Sequence, residues 1–213
     1  MSITTQLYTD KAVLPVLTVL GLIWTVRTVT GKVHANSEFT VSICVQMSMT
    51  VASLEITSAS LERTRKLGTR LGELAEPGDV ILLVGQLGVG KTCLTQGVAW
   101  GLGIDDYTAS PSFVLVREYQ GRLPLYHIDF YRLDRLEEVA DLGLDDYLYG
   151  GGLCVVEWAD KGLGALPEEH LLIEMQHLAP TKRKLSFFAR GVRYEEMLAQ
   201  MKLSTKVRKA KGR

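Results

Sequence analysis

Eight residues of the chain, from Gly85 to Thr92, match the phosphate-binding pattern G-x-x-x-x-G-K-T. In such a P-loop the glycines let successive backbone N–H groups point at phosphate oxygens, and the N-terminus of the following helix adds partial positive charge. The pattern assigns Lys91 to the β- and γ-phosphates and the Thr92 hydroxyl to a magnesium ion. The predicted phosphate-binding residues are Gly85, Gly88, Val89, Gly90, Lys91, Thr92 and Cys93.

The segments on either side of this loop are those that a P-loop requires. Residues 79–84 form a short apolar run rich in β-branched side chains, which is typical of a buried strand. Residues 91–102 are expected to be helical, with Gly103 as the C-cap. A glycine-rich turn that matched by chance would lack this setting, so we predict a phosphate site between a strand and a helix.

Two acidic residues follow predicted strands elsewhere in the chain. Glu157 follows the apolar run 153–156, and Asp129 follows the run 125–128. An acidic residue after a hydrophobic strand is the Walker B arrangement, in which a carboxylate holds Mg²⁺ directly or through water. Either acid alone is equally consistent with a helix cap or a solvent-facing charge. The two together, beside a P-loop, predict metal-binding or water-positioning groups.

Several neighbours of these acids have both a structural and a functional interpretation. His127 lies on the same sheet face as Asp129, and we favour a structural hydrogen bond over catalysis for it. Trp158 either walls the pocket or packs against a helix, and we favour packing. Arg135 is expected to pair with acidic residues on a solvated helix. For Arg132, both such a pairing and a contact with phosphate stay open.

The polar loop at residues 108–113 connects the P-loop helix with the next predicted strand. A loop at this position in P-loop proteins often carries hydroxyl groups that respond to the γ-phosphate and to magnesium. A turn rich in Ser and Pro is also simply a turn. Both interpretations stay open from the residues alone.

Strands and helices in alternation must position these groups. Further strands are predicted at 51–56, 113–119, 125–130, 171–175 and 184–188. Ser60 is expected to cap a helix that extends to Ala75, and residues 133–148 are expected to be helical with a break near Gly143. The pattern predicts an α/β P-loop NTPase fold, with a mostly parallel central sheet flanked by helices and the late strands antiparallel to each other.

The composition is that of an ordinary globular protein. The chain has 213 residues, 46% of them hydrophobic and 23% charged, and its formal net charge of zero indicates no particular partner. Its three cysteines, Cys44, Cys93 and Cys154, show no C-x-x-C spacing, which argues against a disulfide framework or zinc knuckle and favours the cytoplasm. We interpret Cys93 as a small buried residue on the first helical turn, not as a redox centre.

The two ends of the chain differ from the middle. Residues 1–50 contain a mostly apolar run at 12–26 that is too short to span a bilayer comfortably. Three hypotheses account for this run. It is a membrane-associating segment, an extra packed element, or sequence translated from a start codon placed too early. We favour the third hypothesis, with Met47 or Met49 as the start. A P-loop domain is expected over 51–198.

A basic segment follows that domain. Residues 199–213 contain few large apolar side chains and are expected to form a disordered tail. We favour a solvated tail over one that contacts tRNA phosphates.

Taken in order, the motifs resemble those of the TsaE family of bacterial P-loop ATPases. The resemblance extends over about residues 58–188 and includes the loop and both acids. It is carried by G-Q-L-G-V-G-K-T at 85–92, S-P-S-F at 110–113, Y-H-I-D-F-Y-R-L at 126–133, D-L-G-L-D-D-Y at 141–147, V-V-E-W at 155–158 and L-G-A-L-P at 163–167.

The resemblance implies a function. TsaE proteins are needed for threonylcarbamoylation of adenosine 37 in tRNAs that read ANN codons, and they act with TsaB and TsaD, of which TsaD is the transferase. The chain would then be an ATPase that is weak alone and stimulated by its partners. ATP binding would support assembly of the complex and hydrolysis would reset it. tRNA would be reached through the complex, with no stable membrane association.

The resemblance also implies roles for single residues. ATP and Mg²⁺ would be the cofactors, with Lys91 on the phosphates and with Thr92 and Glu157 holding the metal. Asp129 would lie near the γ-phosphate and support hydrolysis by orienting water, so Lys91 and Asp129 are the predicted catalytic residues. Arg183 lies where the family tends to contact the nucleotide.

Two positions depart from the family pattern. Ser112, a predicted nucleotide contact, stands where Thr is usual and keeps the hydroxyl group. Gln86 stands where an acid or asparagine is common, and this leaves the backbone part of the phosphate site intact.

Two alternatives to an ATPase subunit follow from the same loop. One is a small-molecule kinase, which would require an acceptor pocket and usually an arginine-rich lid. The other is an ATP-dependent binding switch in which slow hydrolysis is incidental. GTP is disfavoured as the nucleotide because the sequence has no N-K-x-D base-recognition motif.

Overall fold

The computed structural model describes most of the chain beyond residue 51. The described residues are 52–105, 115–133 and 143–210, with side chains to residue 203, together with the backbone of four short strands before residue 42. The chain divides into two compact units, residues 1–50 and 51–213.

The first unit contains two pairs of short antiparallel strands. β1 (Thr18–Val19) pairs with β2 (Leu22–Ile23), and β3 (Val29–Val33) pairs with β4 (Ser37–Val41). The rest of the apolar run at 12–26 and both candidate start methionines lie outside the described residues. The three hypotheses for this segment therefore stay predictions.

The second unit is built on one seven-stranded sheet. Its strands are β5 (Ser53–Ser58), β6 (Val80–Gly85), β7 (Val116–Tyr119), β8 (Leu125–Asp129), β9 (Leu153–Glu157), β10 (His170–Ala179) and β11 (Lys182–Arg190). The order across the sheet is β5-β11-β10-β6-β9-β8-β7. The four central strands are parallel, while β11 runs antiparallel to β10 and β5, and β7 antiparallel to β8. The predicted α/β fold with a mostly parallel centre and antiparallel late strands is confirmed.

Helices follow the strands much as the sequence pattern indicates. They are α1 (Leu61–Leu74), α2 (Lys91–Gly101), α3 (Asp145–Leu148) and α4 (Val192–Ala210), with 3-10 turns at Ala159–Lys161 and Leu163–Ala165. The Ser60 side chain accepts a hydrogen bond from the Arg63 N–H at 3.1 Å, which is the expected N-cap of α1. Of the helix predicted at 133–148, only the last turn, α3, is observed, because residues 134–142 lie outside the described residues.

Apolar side chains cover both faces of the sheet. Along β6, Ile81 and Leu83 belong to the core shared with α1, α2 and α4, whereas Val80 and Leu82 belong to the core on the other face. A strand that is buried on both faces needs a continuous apolar run, and this explains the uninterrupted pattern seen before the P-loop.

Helices α1 and α2 approach each other so closely that only glycine fits between them. A Cβ atom on Gly68 would lie 2.1 Å from the Leu94 carbonyl oxygen, and one on Gly97 would lie 2.1 Å from the Arg65 carbonyl oxygen. Glycines four residues further along each helix, at 72 and 101, make the same kind of contact. Since α2 starts at the P-loop, this contact fixes the helix that points at the phosphate site.

Helix α4 extends further than the sequence indicated. The backbone is helical to Ala210, so the expectation of a disordered tail from residue 199 is not met over 199–210. Tyr194, Met197, Leu198 and Met201 are buried against the sheet. A helix nucleated by such packing adds residues at little further cost.

No helix among the described residues is both long enough and apolar enough to cross a membrane.

Candidate functional site

The P-loop lies between the end of β6 and the start of α2, as predicted. The backbone at Gly90 has φ of 111°, and that at Gly88 has φ of 75°, which are left-handed values that favour glycine. A Cβ atom on Gly85 would lie 2.4 Å from the Met175 carbonyl oxygen of β10. The glycines of the motif are therefore required by the path of the loop.

Lys91 is buried at the start of α2. Its Nζ donates hydrogen bonds to the carbonyl oxygens of Gly85 at 2.6 Å and Gln86 at 3.2 Å, and lies 3.6 Å from the centre of the Trp158 ring. Burial lowers the pKa of Lys91, and the carboxylates of Glu157 and Asp129 act in the opposite direction. The amine is thus held close to the loop by carbonyl dipoles and an aromatic face.

Glu157 ends β9 directly beside the first turn of α2. Its Oε2 accepts a hydrogen bond from the Thr92 hydroxyl at 2.9 Å, and its Oε1 lies 2.8 Å from His127 Nε2 and 3.2 Å from Thr95 Oγ1. Only 2% of the residue is exposed. A carboxylate at this depth is stable because three donors bond to it.

Asp129 lies next to Glu157 in the sheet, since the two residues are in register at the carboxyl ends of the parallel strands β8 and β9. Its Oδ1 accepts a hydrogen bond from the Tyr131 N–H at 2.9 Å. Both acids open into a cavity of ≈ 340 Å³, a volume that suits a small ligand. The cavity is lined by Leu87, Gly88, Gly90, Lys91, Thr92, Asp129, Tyr131, Arg132, Glu157 and Trp158.

A model of the family described as "Threonylcarbamoyl adenosine biosynthesis protein TsaE" matches residues 58–185. The chain belongs to the TsaE family. It is 43% identical over 141 residues to the tRNA threonylcarbamoyladenosine biosynthesis protein TsaE of Bacillus subtilis, a match that covers 66% of this chain and 88% of the relative. The TsaE protein of Treponema pallidum is 43% identical over 129 residues, or 61% of this chain and 96% of the relative.

A solved structure shares the fold of this chain. The crystal structure of Bacillus subtilis YdiB superposes with a TM-score of 0.66 and 37% identity, and it covers 74% of this chain and 99% of its own. The family model and the two relatives confirm the resemblance to the TsaE family that the sequence motifs indicate.

Some predicted site residues of this TsaE protein lie away from the cavity. Arg183 is buried beside the P-loop. Its Nε donates to the Val89 carbonyl oxygen at 3.3 Å, and its terminal nitrogen donates to the Pro180 carbonyl oxygen at 3.0 Å.

Cys93 also lies away from the cavity. It is half-buried, its thiol donates to the Leu61 carbonyl oxygen at 3.4 Å, and burial raises the pKa of the thiol. Ser112 and Arg135 lie outside the described residues. Contacts of Ser112, Cys93 and Arg183 with a nucleotide stay predictions.

Trp158 and Lys161 contribute contacts at the cavity that the sequence does not indicate. Trp158, for which the sequence favours packing over a place in the pocket wall, both contacts the core and lines the cavity above Lys91. Its φ of 58° is the one positive value among non-glycine residues that the structure describes, and such strain is often found at functional sites. Lys161 donates to the carbonyl oxygens of Tyr131 and, at 2.9 Å, Leu133, and so links the segments after β8 and β9.

Thr95, which bonds to Glu157, is a residue beside the site that no sequence motif indicates. It lies three residues after Thr92, and this spacing on a helix directs two side chains toward the same side. That periodicity was the available signal, but it has meaning only once Glu157 is known to lie opposite.

The side chains fit a magnesium ion. Thr92 and Glu157 offer hard oxygen atoms within 2.9 Å of each other at the edge of the cavity, and Mg²⁺ in phosphate sites is held by one or two protein oxygens, substrate phosphates and water. Within the described part of the chain, no group of three or more His, Cys, Asp or Glu side chains is arranged to hold a metal by itself.

Proposed function

We propose that this TsaE protein is the ATP-binding and ATP-hydrolysing subunit of the machinery that threonylcarbamoylates adenosine 37 in tRNAs that read ANN codons. Family membership supports the pathway, because the relatives are named for threonylcarbamoyladenosine biosynthesis. The observation that carries the nucleotide chemistry is the 2.9 Å hydrogen bond between Thr92 and Glu157 at the mouth of the P-loop.

The P-loop binds ATP through its backbone N–H groups and Lys91. Phosphate oxygens carry full negative charge and are stronger acceptors than carbonyl oxygens. The Lys91 amine, which now donates to Gly85 and Gln86, therefore gains by turning to the phosphates.

Thr92 and Glu157 would hold Mg²⁺, which when bound neutralises charge on the phosphate oxygens. Asp129, in register with Glu157 on the neighbouring strand, would orient the attacking water as an acceptor. Lys91 stabilises the charge that develops on the transferring phosphoryl group. Hydrolysis thus depends on four side chains from α2, β8 and β9.

The ATP cycle controls a complex with TsaB and TsaD. ATP binding favours assembly, hydrolysis resets the complex, and TsaD performs the transfer to tRNA, so this chain is an ATPase and not the transferase. Hydrolysis is weak in the isolated protein and is stimulated by the partners. The complex works in the cytoplasm, where its tRNA substrate lies.

Reconstitution tests this proposal directly. Wild-type protein is mixed with TsaB, TsaD, ATP, Mg²⁺ and tRNA, and three quantities are measured: phosphate release, nucleotide-dependent complex formation and modified tRNA. Lys91→Ala should lose all three. Lys66→Ala, a matched control on the exposed surface of α1 where the lysine pairs with Glu62, should retain them. ATP turnover and tRNA modification that both persist in Lys91→Ala would overturn the proposal.

The same reconstitution separates the two alternatives. A kinase would transfer the γ-phosphate to a nucleoside or sugar acceptor instead of releasing it as inorganic phosphate. In a pure binding switch, Asp129→Ala would bind ATP, assemble with the partners and still support tRNA modification. We expect Asp129→Ala to bind ATP but to block repeated turnover.

A further inference from the structure

The two oxygens of the Glu157 carboxylate have different surroundings. Oε2 accepts from the Thr92 hydroxyl, which lines the cavity. Oε1 points the other way, towards His127 Nε2 at 2.8 Å and Thr95 Oγ1 at 3.2 Å. Both of those residues have 0% exposure and neither lines the cavity. One oxygen therefore faces the predicted metal position and the other faces two buried donors.

The topology of the sheet produces this asymmetry. His127 lies on β8 in register with Val155, two residues before the site where Asp129 pairs with Glu157. Since alternate residues of a strand share a face, His127 is on the same side of the sheet as Asp129 and reaches Glu157 diagonally. Thr95 reaches the same oxygen from helix α2, one turn after Thr92.

We propose that His127 and Thr95 are positioning residues for Glu157. By bonding to Oε1 they fix the rotation of the carboxylate, so that Oε2 stays directed at Thr92 and at the magnesium position. This inference rests on the proposed function, because it concerns the metal that the ATPase requires. Groups that orient a metal ligand in this way typically change metal affinity by about 10- to 100-fold when they are removed.

The two donors are unequal. The Thr95 hydroxyl has one proton and lies 3.1 Å from the Lys91 carbonyl oxygen as well as 3.2 Å from Glu157 Oε1, so it divides its donation between two acceptors. His127 Nε2 is closer to the carboxylate and approaches it along the sheet. Removal of His127 should therefore have the larger effect.

Four variants of the full chain test the inference. His127→Leu removes the donor, whereas His127→Gln keeps an N–H near the Nε2 position. Thr95→Val removes a hydroxyl without changing the shape of the side chain. Thr64→Val is the matched control, because Thr64 is also a fully buried helical threonine but bonds to Ser58 and Ser60 instead.

The measurement is ADP affinity by calorimetry, first in EDTA and then across a Mg²⁺ titration, with thermal unfolding recorded for each variant. In EDTA all variants should bind ADP as the wild type does. The Mg²⁺ concentration for half-maximal effect should rise about 10- to 100-fold in His127→Leu, by less in Thr95→Val, and remain close to the wild-type value in His127→Gln. Thr64→Val should not change it. If His127→Leu fails to fold, the comparison of Thr95→Val with Thr64→Val tests the inference instead.

Three results would overturn the inference. If the wild-type protein binds ADP equally with and without Mg²⁺, the result contradicts both the proposed function and this inference. If ADP binding by the wild type depends clearly on Mg²⁺, and this dependence is unchanged in His127→Leu and Thr95→Val, the result contradicts this inference alone. A loss of ADP affinity in EDTA that equals the loss in Mg²⁺ would also contradict it, because it would show a general structural effect.

Discussion

The two ends of the central sheet treat buried charge in opposite ways. At the amino end, Asp79 before β6 accepts two hydrogen bonds from Arg193 of α4, at 2.6 and 3.0 Å, and Glu76 lies 3.3 Å from the same guanidinium. At the carboxyl end, the Lys91 amine bonds to carbonyl oxygens and lies over an aromatic ring, and among the described residues it forms no salt bridge.

This difference separates structural charge from functional charge. At the amino end, opposite charges neutralise each other and join α4 to the sheet. At the carboxyl end, the cation of Lys91 is held near the acids without being paired, so it keeps its capacity for a charged ligand. Substitutions at the amino end should therefore change stability, and those at the carboxyl end should change nucleotide chemistry.

The largest expected effect is on turnover in Lys91→Met. This change keeps the length of the side chain but removes the charge, and ATP turnover with TsaB and TsaD should fall by about 10²- to 10³-fold, as for other single donors to a transition state. The free energy of unfolding should not decrease, because burial already disfavours the Lys91 charge, as its lowered pKa shows. Phosphate release and urea unfolding measure the two quantities. Unfolding that becomes much easier would contradict the distinction between the two ends.

Arg193→Met should have the reverse effect. It leaves Asp79, of whose side chain only 4% is exposed, without its cationic partner. Loss of one member of a buried pair costs about 3–5 kcal/mol, and the partial exposure of Arg193 places the expected loss nearer about 2–3 kcal/mol by urea unfolding. ADP affinity should be unchanged.

Arg70→Met is the control for that substitution. Arg70 pairs with Glu73 on an exposed face of α1, where an ion pair contributes about 0–1 kcal/mol. An Arg193→Met variant as stable as Arg70→Met would show that the amino-end cluster does not hold α4 to the sheet.

The sequence predicted the carboxyl end far better than the amino end, for a physical reason. The P-loop motif is local, and the rule that acids follow apolar strands located Glu157 and Asp129 without knowledge of the strand order. The pair formed by Asp79 and Arg193 joins positions 114 residues apart and leaves no local pattern.

The same limit applies within the site itself. The bonds of His127 and Thr95 to Glu157 depend on the register between β8 and β9 and on the position of α2, which hydrophobic patterning does not specify. Likewise, composition alone indicates a tail from residue 199, whereas α4 packs on the sheet as far as Met201 and its helical backbone extends to Ala210.

Gly97→Ala tests whether the close packing of α1 against α2 holds α2 in its position at the P-loop. Alanine is the better helix former by about 1 kcal/mol, but its Cβ would lie 2.1 Å from the Arg65 carbonyl oxygen and 2.8 Å from the carbonyl carbon. The helices must therefore separate, and we expect a net loss of about 1–3 kcal/mol in urea unfolding. ADP affinity should fall as well, because α2 begins at the P-loop. Gly151→Ala, where a Cβ would meet nothing within 4 Å, is the control, and equal stability of the two variants would contradict the close packing.

The smallest expected effect is a pH dependence of stability from His170, at the amino end of β10. Burial lowers the pKa of His170, and its Nδ1 donates to the Pro167 carbonyl oxygen at 2.7 Å. The unfolded chain then binds the proton more readily than the folded one, so the contribution of His170 is complete above the ordinary histidine pKa of about 6.5 and is lost as the pH falls below it. His170→Asn keeps a donor at the δ position but does not titrate. The difference in unfolding free energy between wild type and His170→Asn should therefore become less favourable to the wild type from about pH 7 to pH 5. A constant difference would show that folding does not change the pKa of His170. A difference that favours the wild type more at pH 5 than at pH 7 would show that the fold stabilises the protonated imidazole, and that the amino end, like the carboxyl end, holds a cation without a matching charge.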